Sequence, residues 1–159
     1  MIQLDNIDLS LLSYLRDNAK ASLKDLAAEL KVHPNTIFQR LKKLEEAGVV
    51  TGYVAEMDFA RAGYDLHSMI MLKLKRANKV DMEQIKQLLK ISELEAIYAV
   101  SGVWDVIALC RVKNRRHLLE VIQKINDHPI IVKSSSSLIL FEYKTPAQFN
   151  PFPNSKSGL

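Results

Sequence analysis

The densest run of side chains able to grip a charged partner is HPNTIFQRLKKLEEAG, residues 33 to 48. Arg40, Lys42 and Lys43 supply three cations, and no acid occurs between Val32 and Leu44. Asn35, Thr36 and Gln39 add neutral donors and acceptors. Cations without neighbouring carboxylates approach phosphate without repulsion, and amide, hydroxyl and basic side chains are the types that read base edges in the roughly 12 Å wide major groove of B-DNA. His33, just ahead, is placed to touch a phosphate or to stand exposed. An ordinary solvated helix carries similar charges, and Arg40 is near enough in sequence to Asp25 or Glu29 to act as a brace between helices instead of a reader.

Such a set works only if a helix presents it. Pro34 suits the first helical position, Gly48 offers a left-handed stop, and Ile37, Leu41 and Leu44 form a buried stripe between them. Thr36, Gln39, Arg40 and Lys43 then recur at i, i+3, i+4 and i+7 on a separate face, with the helix N-terminus adding a preference for phosphate. Upstream, Ile7, Leu11, Leu12 and Leu15 predict a helix over about 6–18. Ser22 is a good N-cap for another, ending near Lys31, with Leu23, Leu26, Ala27 and Leu30 turned inward. Only about three residues separate the second and third helices, which is helix-turn-helix spacing.

The texture changes after residue 48. VVTGYVAEMDFARAGYDL (49–66) is β-branched and aromatic, with no helical stripe, and reads as a strand and linker. SMIMLKLK (68–75) alternates, Ile85, Leu88 and Leu89 mark a helix over about 81–91, and LEAIYAVSG and DVIALCRV are strands joined by the turn Gly102-Val103-Trp104. Leu118, Val121, Ile122 and Ile125 make a further helix, and SSSSLILFEYK (134–144) a closing strand. The order β-α-β-β-α-β is the ferredoxin-like arrangement, so the fold class is α+β, a helix-turn-helix unit joined to a ferredoxin-like unit. The expected boundaries are 1–50, a strand and linker at 51–66, the ferredoxin-like domain at 67–145 and a flexible, proline-rich tail at 146–159. Phe149 and Phe152 of that tail are available to dock on a neighbour.

Composition narrows the partners. The chain has 159 residues, 48% hydrophobic and 25% charged, with a net charge of +4, and its isoelectric point is near 9.1. That balance is compatible with nucleic acid. No apolar run approaches the roughly 20 residues of a membrane span and no signal-peptide pattern opens the chain, so a cytoplasmic location is expected. The lone Cys110 reads as a buried strand residue. Lys73, Lys75, Arg76 and Lys79 read as solvated charge rather than an extension of a DNA track. No cluster has metal-ligand spacing, and neither a metal nor a cofactor is expected.

Taken together, Leu4-Asp5 with Asp8, Leu26-Ala27, Arg40, Leu44-Glu45, Gly48-Val49-Val50 and Gly52-Tyr53 resemble the amino-terminal domain of the Lrp/AsnC (leucine-responsive/asparagine regulator) family. SGVWD (101–105) is similar to that family's Gly-x-aromatic-Asp turn, and the resemblance covers about residues 4 to 144. It implies a transcription regulator that binds pseudo-palindromic double-stranded DNA operators through a winged or simple helix-turn-helix. It also implies that the ferredoxin-like domain dimerises through its sheet and commonly assembles to octamers, with an amino-acid effector between dimers. The resemblance puts Gly102 and Asp105 in the effector loop and Ser135 and Ser137 on the last strand. His33 stands where the family usually has serine, HPIIVK lacks the usual glycine, and Trp104 is bulkier than the commoner Tyr or His.

An amino-acid ligand is a zwitterion and needs a carboxylate for its ammonium and donors for its carboxyl group. Asp105 is a candidate for the first, hydroxyls and loop N–H groups for the second, with Trp104 as a pocket or interface wall. Asp105 and Gly102 equally suit a plain hairpin turn. Two other functions share the same architecture: an effector-free architectural DNA-binding protein, and a siroheme-decarboxylase-like enzyme drawing on His67, His117, His128, Arg111, Arg115 and Arg116. No nucleophile is aligned with a base, so an enzyme is not the expected reading.

Overall fold

The computed structural model describes residues 2–75 and 82–152. Two compact units emerge, one from the chain up to Glu56 together with the chain from Lys144 onward, the other from Met57 to Tyr143.

In the first unit, α1 (Asn6–Asp17) starts at a reciprocal capping box: Asp5 accepts from the Asp8 N–H at 2.9 Å and Asp8 accepts from the Asp5 N–H at 3.2 Å. Ser22 and Asp25 repeat the device at the start of α2 (Leu23–Glu29). Lys31, with φ of 53°, turns the chain sharply into α3 (Pro34–Glu46). Pro34 opens this helix, and Gly48 follows its end with φ of 67°. Leu11, Leu12, Leu15, Leu26, Ala27, Ile37 and Leu44 form the core.

The expected flexible tail is corrected over its described part. A single 3-10 turn at Pro146–Gln148 carries the chain to α1. There Arg16 donates to the Phe149 carbonyl at 2.9 Å and to that of Pro146, and Asn150 Nδ2 donates to the Ser13 carbonyl at 3.3 Å and its hydroxyl at 3.2 Å. Phe152 packs on the core. These contacts hold a segment whose proline-rich composition alone reads as loose. Residues 153–159 lie outside the described residues.

The second unit runs β1 (Leu66–Leu74), α4 (Met82–Leu88), β2 (Leu94–Ala99), β3 (Val106–Val112), α5 (Arg115–Asn126) and β4 (Ile131–Leu138). The sheet is antiparallel in the order β2-β3-β1-β4, a ferredoxin-like βαββαβ fold. Period-two alternation explains its two faces. Ile70, Leu72, Leu74, Val106, Ala108, Cys110 and Val112 are buried with Leu88, Val121 and Ile125 of the helices. Met69, Met71, Ile107 and Leu109 take the opposite face, which remains partly exposed. Burial, helped by the Glu93 charge, raises the Cys110 thiol to about 11, so it behaves as a packed strand residue.

Two strand expectations fail for lack of a partner. Residues 51–58 form no strand, and Val54 and Met57 stand exposed. The closing strand begins at Ile131 rather than Ser134 and ends at Leu138, opposite Ser68. Past it only the Ile139 N–H continues, to the His67 carbonyl at 2.9 Å, and β1 itself ends at Leu66, leaving residues 141–144 no strand to pair with. Asp81, the expected start of the helix over 81–91, lies outside the described residues, as do Arg76 and Lys79.

Candidate nucleic-acid interface and regulatory site

Helix α3 brings Thr36, Gln39, Arg40 and Lys43 to one side, as the spacing suggests, but Arg40 is turned inward on it. Its Nη1 lies 2.7 Å from both Asp5 oxygens and 2.7 Å from Asp8 Oδ1, and the Asp8 side chain is fully buried. Lys43 leans the same way, 3.5 Å from Asp8 Oδ2. The Arg40 guanidinium beside Asp5 holds that carboxyl below its ordinary value, aided by the Asp8 N–H, and the two acids in turn raise Arg40. Arg40 is thus a brace between α3 and the start of α1, and its partners are in α1, not Asp25 or Glu29. Asp25 is occupied by Ser22, whose hydroxyl donates to it at 2.6 Å.

With Arg40 withdrawn, the outward face consists of Asn35, Gln39, Lys42 and Lys43, all exposed, with Thr36 half-buried at one margin. Lys42 meets only Glu46, at 3.8 Å across one helical turn, a contact too exposed to hold it from a phosphate. Asn35, Thr36, Gln39, Arg40 and Lys43 line a shallow depression of about 410 Å³ with Asp5. His33 does cap the helix: its Nδ1 accepts from the Asn35 N–H at 3.2 Å. This ties the ring to the helix start and fulfils the N-cap role usually given to serine or aspartate.

Sequence reasoning missed one residue here. Phe38 is 48% exposed although every other apolar side chain of α3 turns inward. Its signal was legible, since Phe38 falls outside the Ile37–Leu41–Leu44 stripe.

In the second unit, Trp104 and Asp105 close the β2–β3 turn at one end of the sheet. Gly102, at φ of 118°, makes this turn possible because side chains rarely adopt that conformation. Asp105 Oδ2 accepts from the Leu74 N–H at 2.8 Å, and Oδ1 from Lys73 Nζ at 2.8 Å. The ladder shifts register between Lys73 and Leu74, and Asp105 takes the amide at that bulge. Lys133 Nζ lies 5.8 Å from the Trp104 ring centre. Ser135 and Ser137, opposite Met71 and Met69, continue along β4 away from this end, so the strand brings Ser135 nearer to the turn than Ser137. Beside Trp104, Ala99, Val100, Ser101, Val103 and Ile107 line a hollow of about 550 Å³.

A second concavity, of about 620 Å³, is lined by Phe59, Tyr64, Ser92, Glu93, Glu95, Arg111, Lys113 and His117. Most of its charges are mutually paired, and Lys113 lies over the Tyr64 ring. Glu93 Oε1 is 3.1 Å from both His117 Nε2 and Lys124 Nζ; Arg111 bridges Glu95 and Glu142 and stacks on Phe59. His67 sits beside the same pair, 2.9 Å from Glu142 and 3.4 Å from Glu95, while His128 is bonded elsewhere, to Gln87. The three histidines therefore serve separate local contacts. Among the described residues no group of three or more His, Cys, Asp or Glu could hold a metal ion, and no helix is long and apolar enough to cross a membrane.

Burial alone raises the Glu93 carboxyl, but hydrogen bonds from His117, its own backbone, Lys124 and Ser92 outweigh it and bring the group down to about 2. A depressed carboxylate stabilises the folded state above its ordinary value of 4.5, and this contribution is lost as pH falls toward about 2. Thermal melting of Glu93→Gln is therefore expected to show a shallower loss of stability over that acid range than the parent protein. Parallel curves would assign the acid sensitivity to other carboxylates.

A helix-turn-helix with a free polar and basic face, followed by a ferredoxin-like unit, defines a two-domain DNA-binding regulator. Comparison with known proteins makes the class specific. Residues 4–51 match the family model described as winged helix-turn-helix DNA-binding, and residues 68–149 match the Lrp/AsnC ligand binding domain. The chain is 30% identical to the HTH-type transcriptional regulator Ptr1 of Methanocaldococcus jannaschii, over 70% of this chain and 74% of that protein. It is 27% identical to an HTH-type transcriptional regulator of Pyrococcus abyssi, over 93% and 99% of the two chains. Among solved structures, the feast or famine regulatory protein of M. tuberculosis complexed with L-methionine is 28% identical, covers 94% of this chain and 100% of its own, and superposes with a TM-score of 0.85. The chain belongs to the Lrp/AsnC family and is a DNA-binding transcriptional regulator.

Proposed function

We propose that this regulator reads its operator through Asn35, Gln39 and Lys42 of α3, binds paired half-sites as a dimer or higher oligomer, and is modulated by an amino acid held near the Gly102–Asp105 turn. The observation that carries the reading is the exposed face of Asn35, Gln39 and Lys42, with Lys43 half-exposed beside it and Arg40 turned to Asp5 and Asp8. Gln39 supplies bidentate amide chemistry suited to adenine, and Lys42 a phosphate contact.

In the second unit, exposed Leu138, Leu140, Phe141 and Tyr143 favour self-association, since large apolar side chains clustered in sequence are seldom all left in water. A two-fold dimer sets half-sites about 34 Å apart, one turn of the double helix. The methionine complex of the M. tuberculosis relative supports an amino-acid effector. Its side chain would fill the hollow beside Trp104, while its ammonium shares Asp105 with Lys73.

Gln39→Ala and Lys42→Ala test the reading on duplexes that the protein selects from a random pool. The glutamine variant is expected to lose about 1–3 kcal/mol of discrimination at one position in each half-site. The lysine variant is expected to bind all sequences more weakly and to show a salt dependence smaller by about one phosphate per half-site. Equal affinity for selected and competitor DNA at fixed salt would favour the architectural alternative.

A further inference from the structure

Phe38 belongs neither to the core of the first unit nor to any ring contact among the described residues. Ile37 and Leu44 are fully buried and Leu41 partly so, whereas Phe38 leaves 48% of its surface in water. Among the described residues the aromatic and cation–ring contacts lie elsewhere, at Phe141 with Tyr143 and on Phe59, Tyr64, Trp104 and Phe149. At 3.6 residues per turn Phe38 adjoins Asn35, three positions before it, and Lys42, four after, and it precedes Gln39. It also lies in the N-terminal half of α3, the part of a recognition helix that reaches base edges.

Resting on the DNA-reading face described above, we infer that Phe38 is a specificity-determining residue that packs against the C5-methyl group of a thymine in the major groove. That methyl is the one apolar group the four base pairs display there. An aromatic edge between an amide and a lysine would sit over it while its neighbours satisfy polar base edges and phosphate. Lys42 beside it adds charge complementarity to the strand carrying that thymine. The expected preference comes from burying about one methyl group, which corresponds to about fourfold in affinity. The glutamine and lysine contacts do not depend on it.

The test separates this inference from the reading beneath it. Duplexes selected from a random pool by the parent protein are resynthesised with deoxyuridine replacing each thymine in turn, which deletes only the methyl. The parent is expected to lose about fourfold at one thymine per half-site. Phe38→Ala, half-exposed and expected to melt like the parent, should bind the thymine and uracil duplexes equally, and Phe38→Leu should keep part of the difference. A parent indifferent to every replacement, or a Phe38→Ala protein that keeps the full loss at the same thymine, would overturn the inference while leaving DNA reading intact. A changed oligomeric state in Phe38→Ala, with methyl sensitivity unaltered, would instead assign the ring to contact between copies of the chain. Failure of the parent to select any sequence would overturn the underlying reading and this one with it.

Discussion

Arg40→Ala is expected to destabilise the helix-turn-helix unit by about 3 kcal/mol, a loss large enough to unfold it near physiological temperature. The cause is Asp8. Its carboxylate is fully buried, and Arg40 is the cation 2.7 Å from it. Without the guanidinium, that charge retains the Asp5 N–H at 3.2 Å and Lys43 at 3.5 Å, and desolvation exceeds what these return. All three contacts fall on Nη1, a point at the far end of the guanidinium that the shorter lysine side chain does not reach unstrained, so Arg40→Lys restores the charge but should recover only part of the loss. Chemical denaturation of the intact chain measures both. DNA binding decides between brace and reader. If Arg40 is a brace, Arg40→Ala loses affinity in proportion to the unfolded fraction, and a stabilising osmolyte such as trimethylamine N-oxide restores it with the same sequence preference. A folded variant with altered preference would return Arg40 to the reading face.

This brace also marks the limit of what the sequence shows. The stripes Ile37–Leu41–Leu44 and Ile70–Leu72–Leu74 are local periodicities, and they suffice to place α3 and β1 and, with them, the order of elements in both units. Arg40 has several acids to choose from. Asp25 and Glu29 are closer in sequence, but Asp25 already completes the Ser22 cap, while the partners Asp5 and Asp8 lie 35 and 32 positions away. Choosing among them requires knowing how α1 crosses α3, which no spacing encodes. The strand at 134–144 and the tail fail for related reasons. Past Leu138 and the Ile139 N–H, LFEYK has strand propensity without a ladder to join. The tail has loop composition but finds Arg16 and Ser13 on α1. At the β2–β3 turn, SGVWD reveals a hairpin, but not the bulge at Lys73 and Leu74 that gives Asp105 its amide.

Asp105 carries the second large effect, because a backbone hydrogen bond and the proposed effector contact meet in one carboxylate. Asp105→Ala leaves the Leu74 N–H without its 2.8 Å acceptor at a strand end where Leu74 itself is buried, a loss of about 2 kcal/mol. For a unit of this size that lowers the melting temperature by roughly 10 °C before any ligand is added. Asp105→Asn keeps an oxygen for that amide and gives up the charge and the Lys73 bond, a partly exposed pair worth little, so its free-state melting should stay close to the parent's. Screening the twenty amino acids by thermal shift then isolates the second role. An amino acid that binds only the folded state stabilises it by about 2.7 kcal/mol at a hundredfold excess over its dissociation constant. If the ammonium shares the carboxylate with Lys73, the parent responds to one or a few amino acids and Asp105→Asn to none, although both melt alike without ligand. An undiminished response in the asparagine variant would make Asp105 a backbone anchor only and move the ammonium site elsewhere in the regulatory unit. A parent that responds to none of the twenty would favour an effector-free regulator, in which the turn serves the sheet alone.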